Sequence, residues 1–393
     1  MTQLPLGPWP HFEDDDIAAV TDVLRSGKVN QWTGSTVSDF ESAYAAHCGV
    51  AHAIAMANGT VTLEAALLAL DVGPGDEVIV PSRTFMATAS CVVARGARPV
   101  CADVDRESGN VTSATLEAMR SPRTRAVIVV HLGGWPCDMD SICDWAGVHG
   151  IAVIEDCAQA HGATYKGKPV GSFGEFGSFS FCQDKIITTG GEGGMLVMRD
   201  TNHWRRIWEY KDHGKSYDAV FNRQHPPGFR WVIESFGTNW RMTSMQAALG
   251  LTALRKLPQW TAQRRAHAGE LNRALGTVPW IRRPELPPHI GHAAYKHYAY
   301  FDPASAPRGL TRDSLIERLG ASGVVCMSGS CSEIYLEKAF VTAGLAPARR
   351  HPVARELGET SLMFLIHPTI TRNQMEAVCA AISTCLATLG HGS

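Results

Sequence analysis

One pattern constrains this chain more than any other: an alternation of strand-like and helix-like segments through its first two hundred residues. Short apolar runs occur at 53–57, 77–80, 99–104, 126–130 and 151–154, separated by helical stretches at 60–70, 84–94, 113–119 and 139–148. Strands that alternate with helices, and that are apolar on both faces, predict a mainly parallel sheet covered on each side. Two helices precede it. Asp14–Ser26 starts with acidic residues and stops at Gly27, and a second covers 38–47. Beyond 154 the pattern changes. Runs at 176–181 and 195–198 flank a glycine-rich turn, consistent with a mixed sheet. A long helical pattern spans Ser244–Leu275, with an interruption expected at Pro258. A proline-rich stretch, 279–288, leads into a smaller α/β segment. At 393 residues the chain exceeds the roughly 250–300 at which one core stops growing. Two domains are therefore expected, 1–255 and 256–393, the second holding the long connecting helix and a small C-terminal lobe.

Composition removes several classes of function. With 36 Lys+Arg against 38 Asp+Glu the formal charge is −2, which gives no field for gathering a phosphate backbone and argues against a nucleic-acid binder. No apolar run of about 18 residues is present, so no membrane span is expected. The opening MTQLPLGPWPHFEDDD lacks the basic-then-apolar build of a secretory leader, and a cytoplasmic location is the expectation. Eleven cysteines occur, but the nearest pairs, Cys326/Cys331, Cys137/Cys143 and Cys379/Cys385, have no C-x2-C spacing. Buried thiols are expected, and no metal site.

Two apparent motifs fail. Gly162 to Lys168 matches seven positions of a P-loop, but the eighth is Pro169, which has neither a hydroxyl for Mg²⁺ nor an N–H to open a helix. Tyr165-Lys166-Gly167-Lys168-Pro169 reads as a hairpin turn. The glycines from Gly190 to Gly194 lack the G-x-G-x-x-G spacing of a dinucleotide fold.

The chemistry gathers at three other places. Ile151-Ala152-Val153-Ile154-Glu155-Asp156 is an apolar strand ending in two carboxylates, where open α/β sheets bind ligands. Lys185 closes a second apolar run; in a desolvated pocket a lysine can form an imine with an aldehyde. Asn58-Gly59-Thr60 opens a helix with a small residue and a hydroxyl, the make-up of an anion cradle. Each alone has a commonplace reading: a cap, a solvated charge, an ordinary helix start. Acid, amine and phosphate cradle in one sheet are what pyridoxal phosphate requires.

At this level the chain resembles the DegT/DnrJ/EryC1/StrS family of pyridoxal-phosphate sugar aminotransferases, over residues 9–371. The resemblance rests on Ala57-Asn58-Gly59-Thr60, Pro81-Ser82-Arg83-Thr84-Phe85, the segments 154–161 and 178–194, and Gly237-Thr238-Asn239-Trp240-Arg241-Met242-Thr243. It implies a fold-type I aminotransferase: a large domain with a mainly parallel, mixed seven-stranded sheet, and a smaller lobe. It implies that Lys185 is the imine-forming lysine and proton shuttle, Asp156 the partner of the pyridine nitrogen, Gln159 a neighbour of the phenolic oxygen and Phe85 the aromatic stacked on the ring. Gly59, Thr60 and Ser180 correspond to phosphate binders, and Asn239 to one that reaches the neighbouring subunit's phosphate, which implies a homodimer with shared sites. His161 reads equally as a core histidine, and Arg241 as a residue that ties the dimer together.

The implied activity is ping-pong transfer of an amino group from L-glutamate or L-glutamine to the keto group of a nucleotide-linked sugar. A ketocyclitol aminotransferase and a cofactor-dependent dehydratase are the alternatives, and the family's dehydratases carry histidine where Lys185 stands. The chain departs from the family at Phe181-Cys182-Gln183-Asp184, at the extra glycine in 189–194, and in 217–235, whose Arg230 and aromatics suit either a diphosphate and base or a dimer contact.

Overall fold

The computed structural model describes residues 3–390. Seven strands form its main sheet: β1 (His52–Met56), β2 (Glu77–Pro81), β3 (Arg98–Ala102), β4 (Thr124–Val130), β5 (Ala152–Asp156), β6 (Phe176–Ser180) and β7 (Gly194–Met198), in the order β1-β7-β6-β5-β4-β2-β3. β7 runs antiparallel to β1 and β6, and the other pairs are parallel. Successive side chains of a strand point to opposite faces, and the cores follow that parity. Val78, Val80, Ile128 and Ile154 meet Leu63 and Leu67 on one side. Ile79, Val127, Val129 and Val153 pack with Ile142 and Ala146 on the other. Because helices cover both faces, the strands need no polar face, which is why they read as continuous apolar runs.

The helices that matter for the site are α1 (Asp14–Ser26), α2 (Thr36–Cys48), α3 (Gly59–Ala69), α4 (Ala87–Ala94) and α5 (Ser244–Leu275). α5 begins with a capping box, in which the Thr243 hydroxyl takes the Gln246 N–H and the Gln246 side chain takes the Thr243 N–H. The interruption expected at Pro258 does not occur: α5 is continuous through it. Proline removes one backbone bond, but α5 is gripped along its length by α1, α2 and the C-terminal helix, and tertiary packing outweighs the local preference. Beside the proline, Lys256 Nζ lies 2.9 Å from Glu13, 2.7 Å from Asp15 and 2.9 Å from Asp16.

A second sheet orders β8 (Ile281–Arg282), β9 (Lys296–Phe301), β11 (Ser361–Leu365) and β10 (Cys326–Met327), all antiparallel. Its core joins Leu271 and Leu275 of α5 to Ala299, Phe301 and Phe364, and Leu4 and Leu6 near the N-terminus pack against it. We propose the division 1–255 and 256–393 as the organisation of the chain; α5 passes through it. The segment that resembles a P-loop is a hairpin, Thr164–Tyr165 paired with Lys168–Pro169 around Lys166 (φ 50°) and Gly167 (φ 80°). All eleven cysteines are free, and Cys331 is the exposed one. Among the described residues no helix is long and apolar enough to cross a membrane.

α2 and α5 meet where Gly250 faces the fully buried Phe40, with no room for a Cβ against the ring. Gly250→Ala is expected to lower stability by about 1–3 kcal/mol through overpacking, read as a lower urea midpoint. Adding Phe40→Leu should recover part of the loss.

Candidate active site

Glu155 and Asp156 end β5 on opposite faces of the sheet, and their surroundings set them to different tasks. Glu155 is fully buried. Its Oε1 accepts from the N–H groups of Phe173 (2.7 Å) and Gly174 (2.9 Å), and its Oε2 from Gly171 (2.7 Å). His131 Nδ1 accepts from the Cys137 N–H at 3.0 Å, so the ring carries its proton on Nε2, 3.1 Å from Glu155. Burial drives the Glu155 carboxyl upward, but the His131 hydrogen bond and the backbone donors outweigh it, and it titrates below its ordinary value. Cys157 lies within 4.8 Å of this pair, yet the hydrogen bonds already engage both His131 nitrogens and both Glu155 oxygens.

Asp156 faces the other way and is 7% exposed. Its Oδ1 accepts from the Ala158 N–H and its Oδ2 from the Thr88 hydroxyl, each at 3.1 Å. Burial raises its carboxyl above the ordinary range, opposed by those two bonds and by the charge of Lys185. Lys185 lies five residues past β6. Its Nζ is 4.0 Å from Asp184 and 5.1 Å from the centre of the Tyr295 ring, and its side chain is largely covered. Asp184 also takes the Tyr295 hydroxyl and lies 3.8 Å from Lys296 Nζ. The indole N–H of Trp9 donates to the Lys185 carbonyl at 3.1 Å.

The start of α3 is pressed onto the ends of β6 and β7. A Cβ on Gly59 would lie 2.6 Å from Ser180 Cβ, and one on Gly194 would overlap the Asn58 carbonyl. Only glycines let these backbones approach so closely. Asn58 caps the helix itself, its Oδ1 accepting from the N–H groups of Thr60 and Val61 at 3.0 Å. The donors left over differ from those expected of a bare helix end: the exposed Thr60 hydroxyl, which has no partner among the described residues, and the Ser180 hydroxyl.

The remaining candidates separate. Gln159 is buried, with its Oε1 accepting from the Gly133 N–H at 2.7 Å. Phe85 is 71% exposed, so its ring is not spent on core packing. His161 is a core histidine: fully buried, 2.7 Å from the Tyr44 hydroxyl and 2.9 Å from the Ser180 carbonyl, with burial holding its imidazole down at about 3. Asn239 is exposed and forms no hydrogen bond to the other candidates; its backbone pairs with Asp212, and its Oδ1 lies 3.4 Å from the Arg241 N–H. Arg241 meets the buried Asp212 at 2.8 Å within the same chain. Arg230 is spent on its own loop, donating to the Val220 carbonyl at 2.7 Å. Thr88, Trp9, Tyr295 and Lys296 are contacts that sequence reasoning missed. Thr88 lies three residues past Phe85 and was within reach of it; the others come from 110 or more residues away along the chain and carry no local signal.

A seven-stranded mixed sheet of this order beside a smaller C-terminal lobe is the architecture of the fold-type I aminotransferases. A family model for the DegT/DnrJ/EryC1/StrS aminotransferase family matches residues 10–383, and the chain belongs to that family and is an aminotransferase. It is 40% identical to the GDP-perosamine synthase of Caulobacter vibrioides, over 74% of this chain and 75% of that protein. The aminotransferase from Psychrobacter cryohalolentis superposes with a TM-score of 0.97 at 50% identity, covering 98% of this chain and 100% of that one. S. venezuelae DesV, solved in complex with a ketimine intermediate, superposes with a TM-score of 0.86 at 31% identity, covering 98% of each chain.

His161 binds its proton less readily when folded than when unfolded, so the unfolded chain takes up more protons between about pH 6.5 and 3. The stability it contributes is complete above that window and lost as pH falls through it. His161→Gln should therefore flatten the decline of urea-unfolding free energy on acidification, by up to about 1.4 kcal/mol per pH unit.

Proposed function

We propose that this chain is a pyridoxal-phosphate-dependent aminotransferase that moves an amino group from L-glutamate or L-glutamine to the keto group of a nucleotide-linked sugar. The observation that carries the reading is a buried carboxylate, Asp156, at the end of β5, with a largely covered amine, Lys185, five residues past the adjacent strand β6. The donor set fits the cofactor: an acid for a pyridinium, an amine for an aldehyde, and the Thr60 and Ser180 hydroxyls beside Gly59 for a phosphate. When bound, pyridoxal phosphate supplies an aldehyde and a ring that withdraws electrons from the reacting carbon.

In this reading Lys185 Nζ would hold the cofactor's aldehyde and would take and return the proton at the carbon that loses or gains nitrogen. Asp156 holds a proton on the ring nitrogen by offering it a negative partner. Gln159, fixed by Gly133, would stand near the phenolic oxygen, and the exposed Phe85 would be free to stack on the ring. A lysine at 185, where the dehydratases have histidine, supports amine transfer, because an amine can release the product and re-form the anchored state. The relatives named GDP-perosamine synthase support a nucleotide-linked acceptor.

The assembly we propose is a homodimer with shared sites. Phe229, Trp231, Ile233 and Phe236 stand 61–101% exposed on one arm, and an apolar patch of this kind marks a protein contact. Asn239, exposed beside that arm, would complete the neighbour's phosphate site.

The absorption spectrum of protein loaded with pyridoxal phosphate tests the reading. A visible band is expected that gives way to the pyridoxamine spectrum on adding L-glutamate or L-glutamine. Lys185→Ala should lose that band and slow amine transfer by about 10²–10⁴-fold. A wild-type chain that forms no band refutes the assignment.

A further inference from the structure

Asp156 is a carboxylate whose burial favours its neutral form, yet the role proposed for it requires the ionised one. Two threonines bear on that conflict. Thr88, in the first turn of α4, places its hydroxyl 3.1 Å from Asp156 Oδ2, and Thr84 places its own hydroxyl 2.8 Å from that of Thr88. Both are 1% exposed. An ionised carboxylate can only accept, so the Thr88 proton must point to Asp156. The lone pair of Thr88 is then left to accept from Thr84. The chain thus has one direction, Thr84 to Thr88 to Asp156, and each bond polarises the next.

We infer that Thr88, supported by Thr84, is a positioning residue that keeps the Asp156 carboxylate ionised and oriented for the ring nitrogen of the cofactor. The inference rests on the cofactor reading above. A purely structural role would not need this arrangement. A threonine in the first turn of a helix can satisfy its hydroxyl on nearby backbone, whereas this one reaches 68 residues along the chain to the end of β5. The other ionisable groups around Asp156 do not replace it. Lys185 becomes engaged with the cofactor, the proton of His131 is committed to Glu155, and the Cys91 and Cys157 thiols are held neutral by burial. The Ala158 N–H serves Oδ1, which leaves Thr88 as the donor on Oδ2.

The test reads protonation directly. Holoenzyme is prepared with pyridoxal phosphate labelled with ¹⁵N in the ring, and the nitrogen shift is followed against pH in wild type, Thr88→Val, Thr88→Ser and Thr84→Val. Valine keeps the shape and removes the donor, while serine restores it. Thr88→Val is expected to raise the pH at which the ring nitrogen loses its proton by about one unit, the tenfold effect of one hydrogen bond to a charge, because a carboxylate that loses a donor holds the proton it shares with the ring nitrogen more tightly. Thr88→Ser should stay within a few tenths of wild type, and Thr84→Val should move the same way as Thr88→Val by less. An unchanged midpoint in Thr88→Val overturns the inference, as does an equal shift in the serine and valine variants. If Thr88→Val does not fold, an unmoved midpoint in Thr84→Val overturns the relay. Wild type that takes up no labelled cofactor refutes the cofactor reading itself, an outcome distinct from all of these.

Discussion

Burying two neighbouring carboxylates at the end of one central strand is costly, and much of the surrounding structure serves to offset that cost. Strand geometry sends Glu155 and Asp156 to opposite faces, so no single set of donors can serve both. Glu155 is met by three backbone N–H groups of the 171–174 turn and by His131. Those bonds clamp the β5–β6 connection to the loop after β4, and the strand ends are thereby held in register. Asp156 receives fewer donors. Its remaining capacity to accept is what a bound cation would use.

The same contrast separates scaffold from working surface elsewhere. His161, Gln159 and the Gly59–Ser180 contact are locked by short bonds or close packing. Phe85, Thr60 and the 229–236 arm stand open. A site of the proposed kind, admitting a cofactor, a donor and an acceptor, would need both: rigid anchors that set geometry, and exposed groups with unspent interactions. The aromatics of the arm are costly to leave in water, and the proposed dimer would cover them.

Lys185 sits in a more crowded electrostatic setting than its sequence neighbours suggest. Asp184 shares its carboxylate among Lys185, Lys296 and the Tyr295 hydroxyl, and Trp9 fixes the backbone of Lys185 from the N-terminal segment. The position of the lysine therefore depends on three parts of the chain that are far apart in sequence.

The alternation of apolar runs and helices determined the parallel sheet, and strand bounds read from it fall within two residues of those observed, because burial on both faces imposes a local pattern. The block order 57–60, 154–161 and 178–194 likewise marked Asp156, Lys185 and Gly59 as candidates, since Asp156 and Gly59 sit at a strand end and a helix start that their neighbours announce, and Lys185 follows the next apolar strand by five residues. Three things were decided only in three dimensions. α5 runs through Pro258 because packing along its length outweighs one missing bond. Phe85 is exposed, which its apolar surroundings do not reveal. Tyr295 and Trp9 reach the site across long separations, and distance along the chain carries no record of such contacts. Periodicity reports which face is buried; which donor meets which acceptor is settled when the layers close.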